Sequence, residues 1–275
     1  MNPMAPMLPA PAPMAAGPTE PVVVVGPQYC APYVVPLTVT KKSISLTDGD
    51  FTVTDANDNV VLNVKGTLFS VRHRRVLHDA VGQPLLSMQE KNDTKVVKFA
   101  EKRELVEIRI ELIRISCLRK GAWIMDRLAI DAVLILSMHN RWEVYRGDSA
   151  HSCDKLFTVK KSSMLQLMKT EMDIFLAGNT AEQVCDFKIK GSYCDRSSAF
   201  YLGKSNTIIA QINRKFSDLS DMIFVGSKFS VTVFPHVDYV FVMALVVILD
   251  EIARDIRRGA VIQISTSQRP GRSTR

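Results

Sequence analysis

The chain has 275 residues, of which 47% are hydrophobic, so it can bury the core of one large domain or two small ones. Its formal net charge of +7 resembles that of proteins that bind polyanions, but most of this charge lies near the ends of the chain. Residues 256–275 carry +5, residues 92–137 carry +2 and residues 1–34 carry −1, which leaves +1 for the rest. Net charge therefore gives no argument for a nucleic-acid partner of the folded part.

The N-terminal 34 residues have the composition of a flexible arm. Ten of the 13 prolines precede position 37, and they alternate with Ala and Met. Such a segment favours an extended polyproline II conformation over a packed core. We therefore expect residues 1–34 to be a disordered Pro/Ala-rich arm. The C-terminal residues 256–275, with five arginines and no acid, are predicted to be a basic disordered tail.

Two hairpins with the same design follow the arm. In "DFTVTDANDNVVLNVKG", Phe51 and Val53 precede a turn, and Val60, Leu62 and Val64 continue the same apolar face after it. The segment "RRVLHDAVGQPLLSMQEK" repeats this pattern about 24 residues later, with "DAVG" in the place of "DAND". The pattern predicts two consecutive antiparallel pairs.

Further short strands are predicted in "FTVKKSS", "TEMDIFLAG", "QVCDFKIKGSYCDRSSAFYL", "NTIIAQINRKF" and "KFSVTVF". Strands at intervals of about 8 to 12 residues are typical of an antiparallel sandwich or barrel. Residues 92–137 depart from this rhythm, because they lack turn signals and are densely charged. Within them, residues 101–118 fit an amphipathic helix, but alternation at Val106, Ile108 and Ile110 also fits a strand.

An uninterrupted apolar run extends from Tyr239 to Leu249. It holds about 11 residues, whereas a helix needs roughly 20 to cross a bilayer core. Asp238 is a suitable N-cap, and a helix that is apolar on every side is normally buried on every side. The alternative is a pair of core strands, since several residues of the run are β-branched.

Several strings together resemble the LURP-one-related family of plant proteins: "PLTVTKKSISLTDGDFTVTDANDNVVLNVKG", "RRVLHDAVGQPLLSMQEK", "RWEVYRGDS", "FTVKKSS" and "FPHVDYVFVMALVVILDEI". The resemblance covers residues 35–91 and 138–255. It implies a mainly β, tubby C-terminal-like domain over residues 35–255, related to phospholipid scramblases. Such a domain is a closed antiparallel barrel of about twelve strands around a central hydrophobic C-terminal helix. Residues 92–137 interrupt the resemblance, either as a long hairpin insertion or as translated intron sequence.

The chain carries no motif of a known enzyme class: P-loop, GxGxxG, GxSxG and HExxH are all missing from the sequence. We therefore expect no enzymatic activity, no catalytic residues and no cofactor. The five cysteines form no CxxC pair and the histidines have no zinc-ligand spacing, so no metal site is predicted. The acidic "DGDFTVTDAND" lacks the pattern of a calcium loop and fits the ends of a hairpin. The odd thiol count favours an intracellular, reducing environment.

Basic side chains are the candidate binding residues, because phosphate groups are held by converging Lys and Arg. The candidates for anionic phospholipid or phosphoinositide binding are Arg72, Arg74, Arg75, Lys188, Lys190 and Lys204. The alternative for each is a solvated side chain on the barrel exterior. The resemblance implies a cytoplasmic protein, peripheral at the plasma membrane or nuclear, with a role in plant stress or defence. The alternative function is a protein-interaction scaffold or membrane-tethered transcriptional regulator, although the sequence has no specific nucleic-acid motif.

Overall fold

A computed structural model describes residues 18–41, 50–66, 74–92, 140–162, 169–192, 197–203, 205–213 and 228–252. The segment predicted as an insertion lies outside the described residues from position 93 to position 139, and so does the predicted basic tail. Twelve strands are described: β1 Val35–Lys41, β2 Phe51–Thr54, β3 Val60–Gly66, β4 Arg74–Asp79, β5 Pro84–Asn92, β6 Asn140–Arg146, β7 Lys155–Lys161, β8 Lys169–Leu176, β9 Phe187–Ser192, β10 Ser197–Leu202, β11 Ile208–Asn213 and β12 Lys228–Val233. Short 3-10 turns lie at Pro27–Tyr29 and Ser152–Asp154. A helix, α1, occupies residues 239–252.

Each strand pairs with its neighbours in the sequence, and β1 closes the barrel by pairing with both β2 and β12. All pairings are antiparallel, from β1 beside β2 through to β11 beside β12. Closure leaves no unpaired edge strand in the ring. The predicted closed antiparallel barrel of twelve strands is therefore confirmed.

Helix α1 fills the interior of this barrel. Every residue from Val240 to Ile248 is at most 1% exposed. The Phe241 ring contacts the inward-facing rings of Phe157 and Phe187, with centroids 5.1 and 4.9 Å away. Burial of one such side chain stabilises a fold by about 1.5 to 3 kcal/mol, so the helix forms the centre of the core. The central hydrophobic helix is confirmed, and the alternative of two core strands is excluded.

The two predicted hairpins, β2–β3 and β4–β5, have the same turn geometry. The Asp55 carboxylate accepts hydrogen bonds from the N–H groups of Asn57 and Asn59, at 2.8 and 2.9 Å. The Asp79 carboxylate does the same for Val81 and Gln83, at 3.0 and 2.8 Å. Asp55, one of the acids near β2, therefore orders its own turn through its carboxylate.

One detail of the hairpin prediction is wrong. Val60 was placed on the same face as Val53, Leu62 and Val64, but it is 43% exposed. The register between β2 and β3 shifts at Val53/Thr54, and such a bulge interrupts the alternation of faces. The apolar face therefore begins at Leu62.

The prediction of a disordered arm over residues 1–34 is wrong for the C-terminal part of that range. Residues 18–33, here called the strap, lie against the end of the barrel where α1 begins. Val22 and Val25 are each 7% exposed within the core, and Val22 forms a parallel bridge with Val237. The abundance of proline concealed the apolar run "VVVV", which gives the strap enough apolar surface to pack. Residues 1–17 lie outside the described part of the chain.

Candidate functional site

The two described cationic candidates of β4 lie on opposite faces of the barrel wall. Arg74 points outward, and its Nη2 donates to Asp148 Oδ1 over 2.6 Å. Arg75 points inward, is 8% exposed, and donates from Nε to Glu251 Oε1 over 2.7 Å. Consecutive strand residues alternate between faces, so these neighbours could not share one surface. Arg75 belongs to the interior, so it is not the solvated exterior side chain that was the alternative for it, and it does not share a surface with Arg74. Arg72 lies outside the described residues.

The two candidates of β9 both lie on the outer face, but their surroundings differ. Lys188 Nζ is 3.5 Å from Asp173 and 3.8 Å from Glu171, both on β8. Lys190 is exposed, and its Nζ lies 5.2 Å from the centroid of the Tyr201 ring on β10. No carboxylate of the described residues forms an ion pair with Lys190. Lys204 lies outside them.

The described candidates do not converge on one concavity. In the ring order, four strands, β5 to β8, separate β4 from β9. Arg74 and Lys190 therefore lie on different sides of the barrel. A surface that holds a phosphate group with several of the predicted cations at once is not formed by the described residues.

An open groove of about 400 Å³ lies beside Lys190, across the outer face of β9, β10 and β11. Its lining is mostly polar: Lys190, Gly191, Ser198, Ala199, Tyr201, Gln211, Ile212 and Asn213. The β9–β10 register sets Lys190 opposite Ala199 and Lys188 opposite Tyr201. The small residues Gly191 and Ala199 leave room between the longer side chains. The groove thus combines one cation with amide and hydroxyl groups that can bond to an anionic group.

A second polar cluster, which the sequence analysis missed, covers the outer face of β6 and β7. Arg141 donates from Nη2 and Nη1 to the two oxygens of Glu182, over 2.8 and 3.2 Å. Lys160 contacts the same carboxylate. On the other side, Arg141 Nε is 3.6 Å from Glu143 Oε1, and Tyr145 donates to Glu143 Oε2 over 2.6 Å.

Two groups of this cluster, Tyr145 and Glu182, have shifted pKa values. Burial raises the pKa of Tyr145 to about 12, and the Glu143 carboxylate adds to this effect. Tyr145 therefore remains a hydroxyl donor. Burial acts to raise the pKa of Glu182, but hydrogen bonds from Lys160 and Arg141 outweigh it and lower the pKa overall. Glu182 is therefore a stable carboxylate.

Strand alternation could have indicated part of this cluster. In "RWEVYRGDS" it sends Arg141, Glu143 and Tyr145 to the face opposite the buried Trp142 and Val144. In "FTVKKSS", alternation likewise places Thr158 and Lys160 on the outer face. Glu182 could not be found this way, because it comes from the loop between β8 and β9. Its contact with Arg141 spans 41 positions.

The described residues contain no group of three or more His, Cys, Asp or Glu side chains that could hold a metal ion. Within the same residues, no helix combines the length and apolarity that a membrane crossing requires.

Comparison with known proteins identifies relatives that share most of this chain. The model of a family described as LURP-one-related matches residues 35–117 and 124–250. The chain is 40% identical to protein LURP-one-related 15 of Arabidopsis thaliana over 249 residues, which are 90% of this chain and 91% of that protein. It is also 40% identical to LURP-one-related 10 of the same plant over 233 residues, 84% of this chain and 97% of the relative. The matched ranges include much of residues 92–137, whose status as an insertion stays a prediction.

A solved structure supports the fold. An X-ray structure of an Arabidopsis thaliana protein, 31% identical in sequence, superposes with a TM-score of 0.54. The match covers 84% of this chain and 98% of that one. The resemblance seen in the sequence motifs is thereby confirmed.

Proposed function

Because the chain belongs to the LURP-one-related family, we propose that its barrel is a non-enzymatic, intracellular binding module for anionic membrane lipid. The contact site in this proposal is the groove across β9, β10 and β11. Lys190 and the polar groups beside it would bind a lipid phosphate at the membrane surface. A role in plant stress or defence is part of the same proposal.

The observation that carries the proposal is the position of Lys190. Its neighbour Lys188 lies beside Asp173 and Glu171, whereas Lys190 lies over Tyr201 at the edge of the groove. A cation that has no carboxylate partner among the described residues keeps its charge available for a ligand. A charge-assisted bond from an ammonium group to phosphate is roughly twice as strong as a neutral hydrogen bond.

The rest of the groove suits a headgroup better than an extended peptide. Gln211 and Asn213 supply amide groups to the lining of the groove, and Tyr201 supplies an aromatic face. Several donors that converge with one cation can bond to more than one phosphate oxygen. The groove is open, so a headgroup can reach it without displacement of a barrel strand. These features support lipid binding ahead of a scaffold function.

Co-sedimentation with vesicles tests the proposal. We expect the protein to sediment with phosphatidylcholine vesicles that contain phosphoinositide, and less at high salt, because exposed charges are screened. Lys190→Glu should lower the affinity about tenfold, which corresponds to about 1.4 kcal/mol.

Lys65→Glu is the matched control. Lys65 is an exposed residue of β3, on a distant part of the ring, and its substitution changes the net charge by the same amount. It should retain nearly all of the wild-type binding. Equal losses in the two variants would mean that net charge alone drives adsorption, and failure of the wild type to bind any anionic vesicle would favour the scaffold function.

A further inference from the structure

The Glu182 carboxylate occupies a cation pocket on the outer face of β6 and β7. Arg141 presents both terminal nitrogens to the two carboxylate oxygens, and Lys160 approaches the Oε2 atom. The Thr158 hydroxyl lies 3.5 Å from Arg141 Nη2 and is part of the same pocket. A bidentate guanidinium, an ammonium group and a hydroxyl form the donor set that proteins use for phosphate as well as for carboxylate.

The framework of this pocket is rigid. Arg141 lies on β6, and Thr158 and Lys160 lie on β7, which pairs with β6 through the register Glu143↔Thr158. Thr158 is 2% exposed, so the floor of the pocket is closed. Lys160 is further positioned by the Phe175 ring, whose centroid is 5.6 Å from its Nζ. The paired strands therefore fix the backbone positions of the three donor residues.

The occupant comes from a loop and not from a strand of the barrel. Glu182 belongs to the loop between β8 and β9, and its backbone φ is 48°, in the left-handed region. A non-glycine residue in that region carries a steric cost. The contacts of the carboxylate with Arg141 and Lys160 help to offset that cost, together with the hydrogen bond that the Glu182 N–H donates to Asn179 Oδ1 over 3.2 Å.

The charges around the pocket favour an anion with more than one negative charge. Lys91 and Lys155 lie 3.8 and 3.9 Å from Glu143, close to the outer edge of the cluster. At the pocket itself, Arg141 and Lys160 are two cations against the one carboxylate of Glu182, so Glu182 alone does not neutralise them. The side chains of Arg141, Lys160 and Glu182 are between 20% and 35% exposed, so a small ligand can reach them.

We propose that Arg141, Lys160 and Thr158 form a binding site for a phosphate monoester, and that Glu182 is its internal competitor. A phosphate dianion carries one charge more than the carboxylate and offers three oxygens to the same donors. When it binds, the Glu182 carboxylate leaves and the β8–β9 loop loses its ion pairs with Arg141 and Lys160. The site is independent of the groove beside Lys190, because different strands build it.

Equilibrium titration with inorganic phosphate and glycerol 3-phosphate, followed by NMR of the full chain, tests this proposal. Glu182→Gln should bind both probes about tenfold more tightly than wild type, because the competing anion has been removed. Glu20→Gln is the matched control, since it makes the same charge change at an exposed residue of the strap and should bind like the wild type. Thermal melting of each variant shows that the fold is retained.

A second variant separates the site from general charge effects. Arg141→Lys in the Glu182→Gln background should lose the gain, because lysine cannot bind two oxygens with a planar fork. Lys190→Glu in that background should keep it, which distinguishes this site from the groove. Vesicles that contain phosphatidic acid separate the sources of the phosphate: a gain with vesicles but not with soluble probes assigns the site to a lipid headgroup. The proposal is overturned if Glu182→Gln binds no more tightly than Glu20→Gln to every probe, or if the gain survives Arg141→Lys.

Discussion

The carboxylate of Asp238 accepts a hydrogen bond from the Val25 N–H over 2.7 Å, across 213 positions of the chain. The same oxygen accepts from the N–H groups of Val24 and Gly26, at 3.3 and 3.1 Å. The other oxygen caps helix α1 by accepting from Val240 and Phe241, both at 3.1 Å. One fully buried acid therefore holds the strap against the barrel and starts the central helix.

Substitution of Asp238 should be strongly destabilising. Asp238→Ala removes the acceptor for five backbone N–H bonds, four of them buried, and we expect a loss of about 3 kcal/mol or more in the free energy of unfolding. Asp238→Asn should cost less, because its amide oxygen can still accept on one side. Urea unfolding monitored by circular dichroism provides the measurement. The exposed Asp58→Asn, at a turn with φ of 61° that Asn tolerates, should change stability by less than about 0.5 kcal/mol.

A charge in the middle of α1 should prevent folding. Ala244 is 0% exposed, so Ala244→Asp would bury a carboxylate among apolar side chains that cannot solvate it. We expect the variant to accumulate as insoluble or degraded protein, as judged by the soluble fraction after expression. Normal soluble yield together with a native melting transition would show that the helix is not the core of the barrel.

Removal of Arg75 alone should destabilise the protein more than replacement of both members of the buried Arg75–Glu251 pair. Glu251 is 0% exposed, and Arg75→Ala removes the guanidinium that bonds to it, at a cost of roughly 3 to 5 kcal/mol. The double variant Arg75→Met/Glu251→Gln should recover part of that loss, because it removes the buried charge as well. Denaturant unfolding of both variants checks this. Equal stability of Arg75→Ala and wild type would mean that the pair contributes little to the fold.

Protonation of Glu182 should account for part of the loss of stability in acid. Its pKa is lowered from the ordinary value of 4.5, because hydrogen bonds and charge from Lys160 and Arg141 outweigh the effect of burial. The folded state therefore holds this proton less readily than the unfolded state. The stabilisation is complete above the ordinary value and is lost as the pH falls through the lower folded value. Unfolding free energies measured from about pH 6 down to about pH 3 should be flatter for Glu182→Gln than for Glu171→Gln.

Much of the fold could be predicted from local patterns. The alternation in β2 to β5 and the matching turn acids Asp55 and Asp79 predicted the hairpins, because a strand face repeats every two residues. The apolar run from Tyr239 to Leu249 predicted a buried helix, because no side of it suits water. The strap was missed because its prolines dominated the interpretation of residues 1–34, although Val22 and Val25 give it a packing surface.

The candidate site was harder to predict, since it depends on which face each cation occupies and on what lies opposite. Arg74 and Arg75 are adjacent in sequence, but alternation alone places them on opposite sides of the wall. Lys188 and Lys190 share a face, and β8 sets Asp173 opposite Lys188 and Glu171 opposite Lys190, yet both carboxylates form ion pairs with Lys188. The partnership of Glu182 with Arg141 requires the closed barrel, because no local pattern joins a loop to a strand two positions away in the ring.

The most direct test of the proposed lipid-binding function is an NMR titration of isotope-labelled protein with a short-chain, water-soluble phosphoinositide. We predict saturable shifts of the backbone amides around Lys190, Tyr201 and Gln211, with much smaller shifts around Lys65, and loss of these shifts in Lys190→Glu. Shifts confined to other faces of the barrel, or the same response in Lys190→Glu as in wild type, would contradict the assignment of the groove as the lipid site.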